Sequence, residues 1–192
     1  MTAEVALPGF VEPVEGAQAC FRAVLQATAR PGKIVTLQCP SAPPPLATAT
    51  AALLLTLADH DTPVWLDPGA AAACDWVAFH CGAAIVANPM RCAFAVALSF
   101  PGLVSLPAGT HEAPETAATL ILQVKALGSG TRFRLSGPGV RNSVLLAVNG
   151  LPTDFAGHWQ HNHALFPRGV DVLLCAGERL AALPRSVALE DA

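Results

Sequence analysis

The sequence holds only two lysines, Lys33 and Lys125, among its 192 residues, and charged side chains of all kinds make up just 13% of it. With a formal net charge of −3 and a pI near 6.0, it lacks the clustered cations that neutralise nucleic-acid phosphates. Nucleic acid is therefore not an expected partner. No apolar run reaches the roughly 18 residues needed to span a bilayer. Even residues 47–58 are interrupted by Thr48, Thr50 and Thr56. The first twenty residues carry Glu4, Glu12 and Glu15 but neither Lys nor Arg, the wrong charge for a secretion signal, so the cytosol is the expected compartment. The six cysteines (Cys20, Cys39, Cys74, Cys81, Cys92, Cys175) include no C-x-x-C pair, which argues against a disulfide framework or a zinc knuckle. Most of them read as small buried hydrophobes. A P-loop, a Rossmann fingerprint, a G-x-S-x-G elbow and an H-E-x-x-H motif are all missing.

What is present is apolar. Hydrophobic residues make up 53% of the chain and the mean hydropathy is +0.47, enough for a large core, and the length fits one domain over residues 1–192. A surface so poor in charge leaves uncharged patches of the kind that become subunit interfaces. Nine arginines carry most of the positive charge, so anion contacts would favour the planar guanidinium.

Residues 15–29 place Phe21, Val24, Leu25 and Thr28 at helical spacing, which predicts a helix buried on that face and stopped by Arg30-Pro31-Gly32. A strand over 33–37, a proline-rich crossing at 40–45 and a mostly buried helix over 46–58 follow. Strands are expected at 63–66 and 93–97, with a helix at 70–81 between them. Leu120, Leu122, Val124 and Ala126 alternate with polar neighbours, and with residues 132–135 they suggest a β-hairpin around Gly128-Ser129-Gly130. Residues 143–148 and 154–163 read as weaker helical segments. A second hairpin joins 170–175 to 180–183 around Ala176-Gly177-Glu178. Alternating helices and strands give an α/β class with a mixed sheet flanked by helices.

Asp59 and Asp61 after an apolar helix could form an acid-base pair or a cation site. Turn chemistry before Thr62-Pro63 is the preferred reading. His158, His161 and His163 with Asp154 are the nearest thing to a metal cluster, yet His163 falls about 140° round from His158 on a helix. A His-rich surface helix is preferred and no metal is assigned. Gly128-Ser129-Gly130-Thr131 and Gly137-Pro138-Gly139 could bring backbone N–H groups to an anion, but a turn and a strand exit explain them more simply.

Several stretches in order resemble the PhnH family: Phe21-Arg22 with Arg30-Pro31-Gly32, LLLTLADHDTPVWL over 53–66, PETAATLILQV over 114–124, Leu135-Ser136-Gly137-Pro138-Gly139, Phe166-Pro167-Arg168-Gly169-Val170-Asp171, and GERLAALPR over 177–185. The resemblance implies a fold related to pyridoxal-phosphate-dependent transferases but without that cofactor's site. It further implies a homodimeric subunit of the carbon-phosphorus lyase core complex, assembled with PhnG, PhnI and PhnJ. In that pathway the assembly containing PhnI, together with PhnL, displaces adenine from ATP by a phosphonate, and PhnJ later cleaves the ribose phosphonate. The family itself is not the recognised catalyst, so no catalytic residue and no cofactor are assigned.

The residues agree on the cofactor by their own chemistry. A pyridoxal enzyme needs a Schiff-base lysine and a phosphate cradle, and Lys33 after a Pro-Gly turn and Lys125 on a polar strand side both read as solvated. Arg22, Arg168 and Arg185, each inside a matching stretch, are candidates for anion contact or subunit pairing, with Asp171 as a possible ion-pair partner. Asp59 and Asp61 stay open to a role at a shared surface. A stand-alone transferase with its own small-molecule pocket is the alternative.

Overall fold

The computed structural model describes residues 9–38 and 41–192, so the readings that rest on Glu4, Cys39 and Pro40 fall outside it. Two sheets share the described chain. The larger has six strands in the order β1-β8-β7-β4-β3-β2, formed by β1 (Val35–Thr36), β2 (Val64–Leu66), β3 (Phe94–Ala97), β4 (Thr119–Gln123), β7 (Asp171–Ala176) and β8 (Arg179–Leu183). β2, β3, β4 and β7 run parallel, while β8 and then β1 add antiparallel pairs, so the sheet is mixed. The smaller sheet is antiparallel, with β5 (Ala126–Ser136) between β6 (Val144–Asn149) and β9 (Ala188–Asp191).

The central strands are apolar throughout because both of their faces are covered. In β4, Ile121 points toward helices α1 (Pro13–Ala29), α2 (Thr48–Leu57) and α3 (Cys74–Cys81), while Leu120 and Leu122 point toward the small sheet and helix α4 (Phe155–His163). The same alternation recurs in β3, where Val96 opposes Ala95 and Ala97, and in β7, where Leu173 opposes Val172 and Leu174. Aligned register stacks these rows, with Ala95 beside Leu120 and Leu120 beside Val172. The result is two apolar layers, one on each side of a single sheet.

α2 is buried on most sides, as its composition predicts, and its amino end docks on the β7–β8 turn through Ala49 N–H to Gly177 O at 2.9 Å. α1 differs from the expected face. It buries Cys20, Val24 and Ala27, while Phe21 and Leu25 are 46% and 52% exposed. Small side chains meet the alanine-rich α2 closely, and the bulky ones are turned outward.

Two further expectations are corrected. β4 and β5 do not form a hairpin: β4 lies inside the large sheet between β3 and β7, and the chain crosses to the small sheet at Val124-Lys125. The glycines lie within β5 as a bulge, where both Leu127 and Thr131 oppose Val148. Gly130 has φ 99°, and a Cβ there would sit 2.6 Å from Val148 O, so only glycine fits. Where a helix is expected over 143–148, the chain forms strand β6 over Val144–Asn149, with Leu146 and Val148 buried and Leu145 exposed. The second hairpin is present as β7 and β8, with Gly177 at φ 58° in the turn.

α4 closes the second layer. Trp159 is fully buried, lies 6.3 Å from the Phe155 ring in stacked orientation, and donates its indole N–H to Val187 O at 2.7 Å. Phe155 in turn meets Phe133 and Phe100 edge-on at 5.8 and 5.4 Å. Replacing Trp159 by Phe should leave Val187 O without this donor and open a small void, lowering unfolding free energy by about 2 kcal/mol. A urea titration reads this directly, and a change smaller than about 0.5 kcal/mol would show that the indole bond contributes little.

Candidate functional site

The charged residues singled out in the sequence fall into separate places. Asp171 opens β7 and Arg185 follows β8, and these two meet. Arg185 Nη2 lies 3.2 Å from Asp171 Oδ2, and the Arg185 backbone N–H donates to Asp171 Oδ1 at 2.7 Å. Arg185 Nη1 donates to the carbonyls of Pro114 and Gly169, each at 2.8 Å, and His163 Nδ1 lies 2.9 Å from Arg185 O. The guanidinium is thereby directed at protein acceptors, tying the start of β7 to the loop before β4 and to the end of α4. Arg168 belongs to the same corner: it is half-buried, and its Nε is buried without a hydrogen-bond partner.

Asp59 and Asp61 lie near the amino-terminal end of β2, about 14 Å of sheet width away from β7, counted as three strand spacings. They form a closed turn. The Asp59 carboxylate accepts the Asp61 N–H and the Thr62 hydroxyl, each at 3.0 Å, and Asp59 N–H donates to Thr62 Oγ1 at 2.7 Å. The Thr62 hydroxyl, then the Asp61 N–H, hold the Asp59 carboxyl below its ordinary range. Asp61 pairs with His60 at 3.3 Å with both side chains in water, where such a pair contributes little. The geometry is that of the turn reading.

Arg22 is exposed on α1 and has no ion pair or hydrogen bond among the described residues. It flanks the outward apolar stripe of Val14, Phe21 and Leu25, which follow one another at seven and four residues along one helical face.

The histidines do not converge. His158 Nε2 lies 3.2 Å from Asp154 Oδ2 and its ring meets Phe100, whereas His163 turns toward Arg185 O. Among the described residues no group of three or more His, Cys, Asp or Glu is placed to hold a metal ion. Three thiols are poor nucleophiles at neutral pH: burial pushes Cys81 up to about 12, Cys92 up to about 11, and Cys20 upward as well.

Sequence reasoning passed over the polar groups that are most deeply placed. Asp67 follows β2, is 5% exposed, and accepts backbone N–H bonds from Ala70 at 2.8 Å, Leu98 at 2.8 Å and Ser99 at 3.2 Å. It binds the carboxyl end of β2 to that of β3. Asn162 in α4 makes a two-way bond with the Val170 backbone, at 2.9 and 2.8 Å, fixing the entry to β7. Asp67-Pro68-Gly69 after an apolar strand was a readable turn signal; Asn162 among histidines carried none. Beside Asp67, where β3 and β4 end, lies an open cleft of about 650 Å³ whose lining includes Ser99, Phe100, Gln123, Lys125 and Gly150. Gln123 is committed to the wall, accepting Ala47 N–H and donating to Pro45 O.

Arg185→Ala should leave the half-buried Asp171 carboxylate without its cation and free two carbonyls, lowering stability by about 2 kcal/mol. Thermal and urea unfolding check this. Unaltered stability would return Arg185 to the pool of anion-binding candidates.

Comparison with known proteins follows the whole chain. Residues 8–190 match the family model described as bacterial phosphonate metabolism protein (PhnH). A protein of Rhizobium meliloti (strain 1021), named alpha-D-ribose 1-methylphosphonate 5-triphosphate synthase subunit PhnH, is 42% identical over 187 residues, covering 94% of each chain. A protein of Stutzerimonas stutzeri, named putative C-P lyase subunit protein HtxG, is 38% identical over 81 residues, or 41% of this chain and 40% of that protein. With residues 8–190 matched by that family model and a relative 42% identical across 94% of the chain, the chain belongs to the PhnH family of bacterial phosphonate metabolism proteins.

Proposed function

We propose that this chain is an accessory subunit of the carbon-phosphorus lyase system, needed by an assembly that makes ribose 1-phosphonate 5-triphosphate from ATP and a phosphonate, and without that activity alone. The observation that carries this reading is the end-to-end match to a protein named as a subunit of that synthase. The charge inventory supports it. Displacing adenine from ATP calls for several cations, or a metal ion, around a triphosphate. Of the arginines picked out by sequence, Arg185 is spent on structure, Arg168 is half-buried beside it, and Arg22 stands on an outer helix face.

The exposed stripe Val14, Phe21 and Leu25 beside Arg22 supports association as the chain's task, since large apolar side chains kept in water are stabilised by covering them. PhnG, PhnI and PhnJ, and a second copy of this chain, are the proposed partners, with residues 1–192 acting as one unit in the cytosol. Among the described residues no helix is long and apolar enough to cross a membrane. The mixed, mainly parallel sheet with helices packed on it also fits a reduced relative of the pyridoxal-phosphate-dependent transferase fold. A stand-alone transferase is not favoured. Lys33 is an exposed side chain hydrogen-bonded to Gln26 at 3.1 Å, and an absorbance band appearing with added pyridoxal phosphate would revive that alternative.

Purified chain incubated with ATP and methylphosphonate should give no turnover, while the co-expressed partner subunits should require it for the synthase reaction. Turnover by the chain alone sinks the accessory reading. Light scattering should give twice the 19.7 kDa chain mass; a folded monomer at micromolar concentration counts against the dimer. Arg22→Glu should change unfolding free energy by no more than about 0.5 kcal/mol yet weaken self-association or co-purification with partners. Equal recovery of both would remove Arg22 from the interface.

A further inference from the structure

β3 and β4 run parallel, so their carboxyl ends open on the same side, and in open α/β sheets the crevice outside those ends is where ligands lodge. Here that crevice is the cleft of about 650 Å³, a volume within the ordinary range for small-molecule sites. Its chemistry is lopsided. Val124, Leu151, Pro152 and Phe100 give it apolar walls, Lys125 is its single cation, and none of its lining residues is Asp or Glu. Asp67, the nearest buried carboxylate along the chain from β2, has both oxygens occupied by backbone N–H groups. The Lys125 ammonium has no ion pair or hydrogen bond among the described residues, in a chain that has only one other lysine.

The lysine is also held at its base. Val124 N–H donates to Cys175 O in the large sheet and Lys125 N–H to Asn149 O near the small sheet, each at 2.8 Å, so this residue sits where the chain passes from one sheet to the other. Gly150, at φ 106°, packs against the lysine stem so closely that a Cβ would come within 3.2 Å of Lys125 Cγ. The exposed Ser99 lies on the same cleft, its N–H anchored to Asp67. A lysine rooted at a fixed hinge between two sheets, on a cleft with apolar walls and no Asp or Glu in its lining, matches a ligand with one tetrahedral oxyanion and a carbon body.

We infer that this cleft binds a small organic phosphonate or phosphate monoester through Lys125, rather than a nucleoside triphosphate. One ammonium offsets half or more of the charge of one such group, which is about −1 to −2 near pH 7; a triphosphate would leave most of its charge unmatched against apolar walls. The apolar walls rank the ligands. Phenylphosphonate binds more tightly than methylphosphonate, and 2-aminoethylphosphonate gains nothing from its ammonium because the lining offers no carboxylate. The inference deepens the phosphonate reading above by placing that ligand class at one site of this chain.

The test is calorimetric titration of the full chain with phenylphosphonate, methylphosphonate, phenyl phosphate, inorganic phosphate and ATP, with amide shifts of Ser99, Lys125 and Gly150 as a second readout. Saturable phenylphosphonate binding is expected, with a Kd raised about tenfold or more by Lys125→Gln, the loss of one charge-assisted contact. Lys33→Gln, a charge-matched change outside the cleft, should leave the Kd alone, and Lys125→Arg should retain most of the affinity. Phenyl phosphate binding as well as phenylphosphonate identifies the oxyanion as the shared determinant, while a preference for either names the source. No saturable binding at millimolar ligand, equal affinity in Lys125→Gln, or tighter binding of ATP than of phenylphosphonate overturns the inference. Binding through Lys125 in a chain that its partner subunits do not need would sink the subunit reading and keep the cleft; a required chain that binds no phosphonate would do the reverse.

Discussion

Strands β4 and β7 have no face left for water, and most of the molecule can be read as a response to that. Covering one face takes α1, α2 and α3; covering the other takes a second sheet and α4. A strand in this position must be apolar at every step, as TLILQ and DVLLCA are except at their ends. All chemistry is thereby displaced to the two ends of the strands, where Asp171 and Thr119 stand side by side at one edge and Gln123 lies beside Cys175 at the other.

Polar side chains inside such a body survive only if they are paired, and the described residues have just three that are buried: Thr50, Asp67 and Asn162. Asp67 gathers three backbone donors at the carboxyl ends of the parallel strands, and Asn162 answers both backbone groups of Val170 at the amino end. Each replaces hydrogen bonds that a sheet loses where its strands stop. Thr50 is the exception: its hydroxyl has no partner, and nothing in the structure explains it. The two ends are thus held with opposite tools. The amino-terminal edge is locked by an ion pair and its carbonyl contacts, the carboxyl-terminal edge by a carboxylate turned wholly inward, which leaves the nearby lysine unmatched.

Much of the architecture was legible because the signals were local. The β7–β8 hairpin announces itself by two apolar runs around Gly177, and α2 by an apolar run with no polar face. The failures share one cause, namely contacts made far along the chain. Gly128-Ser129-Gly130 has the composition of a turn, and only the pairing of β5 with β6 reveals it as a bulge. Residues 144–148 alternate buried and more exposed positions at a strand's period, but the run VLLAV suits a helix as well until its partner strand is known. For α1, size misled: the face with Phe21 and Leu25 is the more hydrophobic, yet close approach to α2 selects Cys20 and Ala27. At the site, Asp171 was legible as a possible ion-pair partner of Arg22, Arg168 or Arg185, and only the structure selects Arg185. Asn162 and the cleft beside Lys125 were not, since Asn162 bonds the Val170 backbone eight residues on without any turn signal in the sequence; Asp67 was readable as a turn, but not its bonds to Leu98 and Ser99, 31 and 32 residues away.

The outward stripe of α1 has a consequence for the cell rather than for the fold. A helix that holds Phe21 and Leu25 half in water presents the feature that chaperones and quality-control proteases use to recognise unassembled chains. On the accessory-subunit proposal, the lifetime of the free chain would be set by how closely its synthesis keeps pace with the partner that covers that helix. Copies made in surplus would be cleared, and abundance would follow stoichiometry even if every copy were perfectly folded.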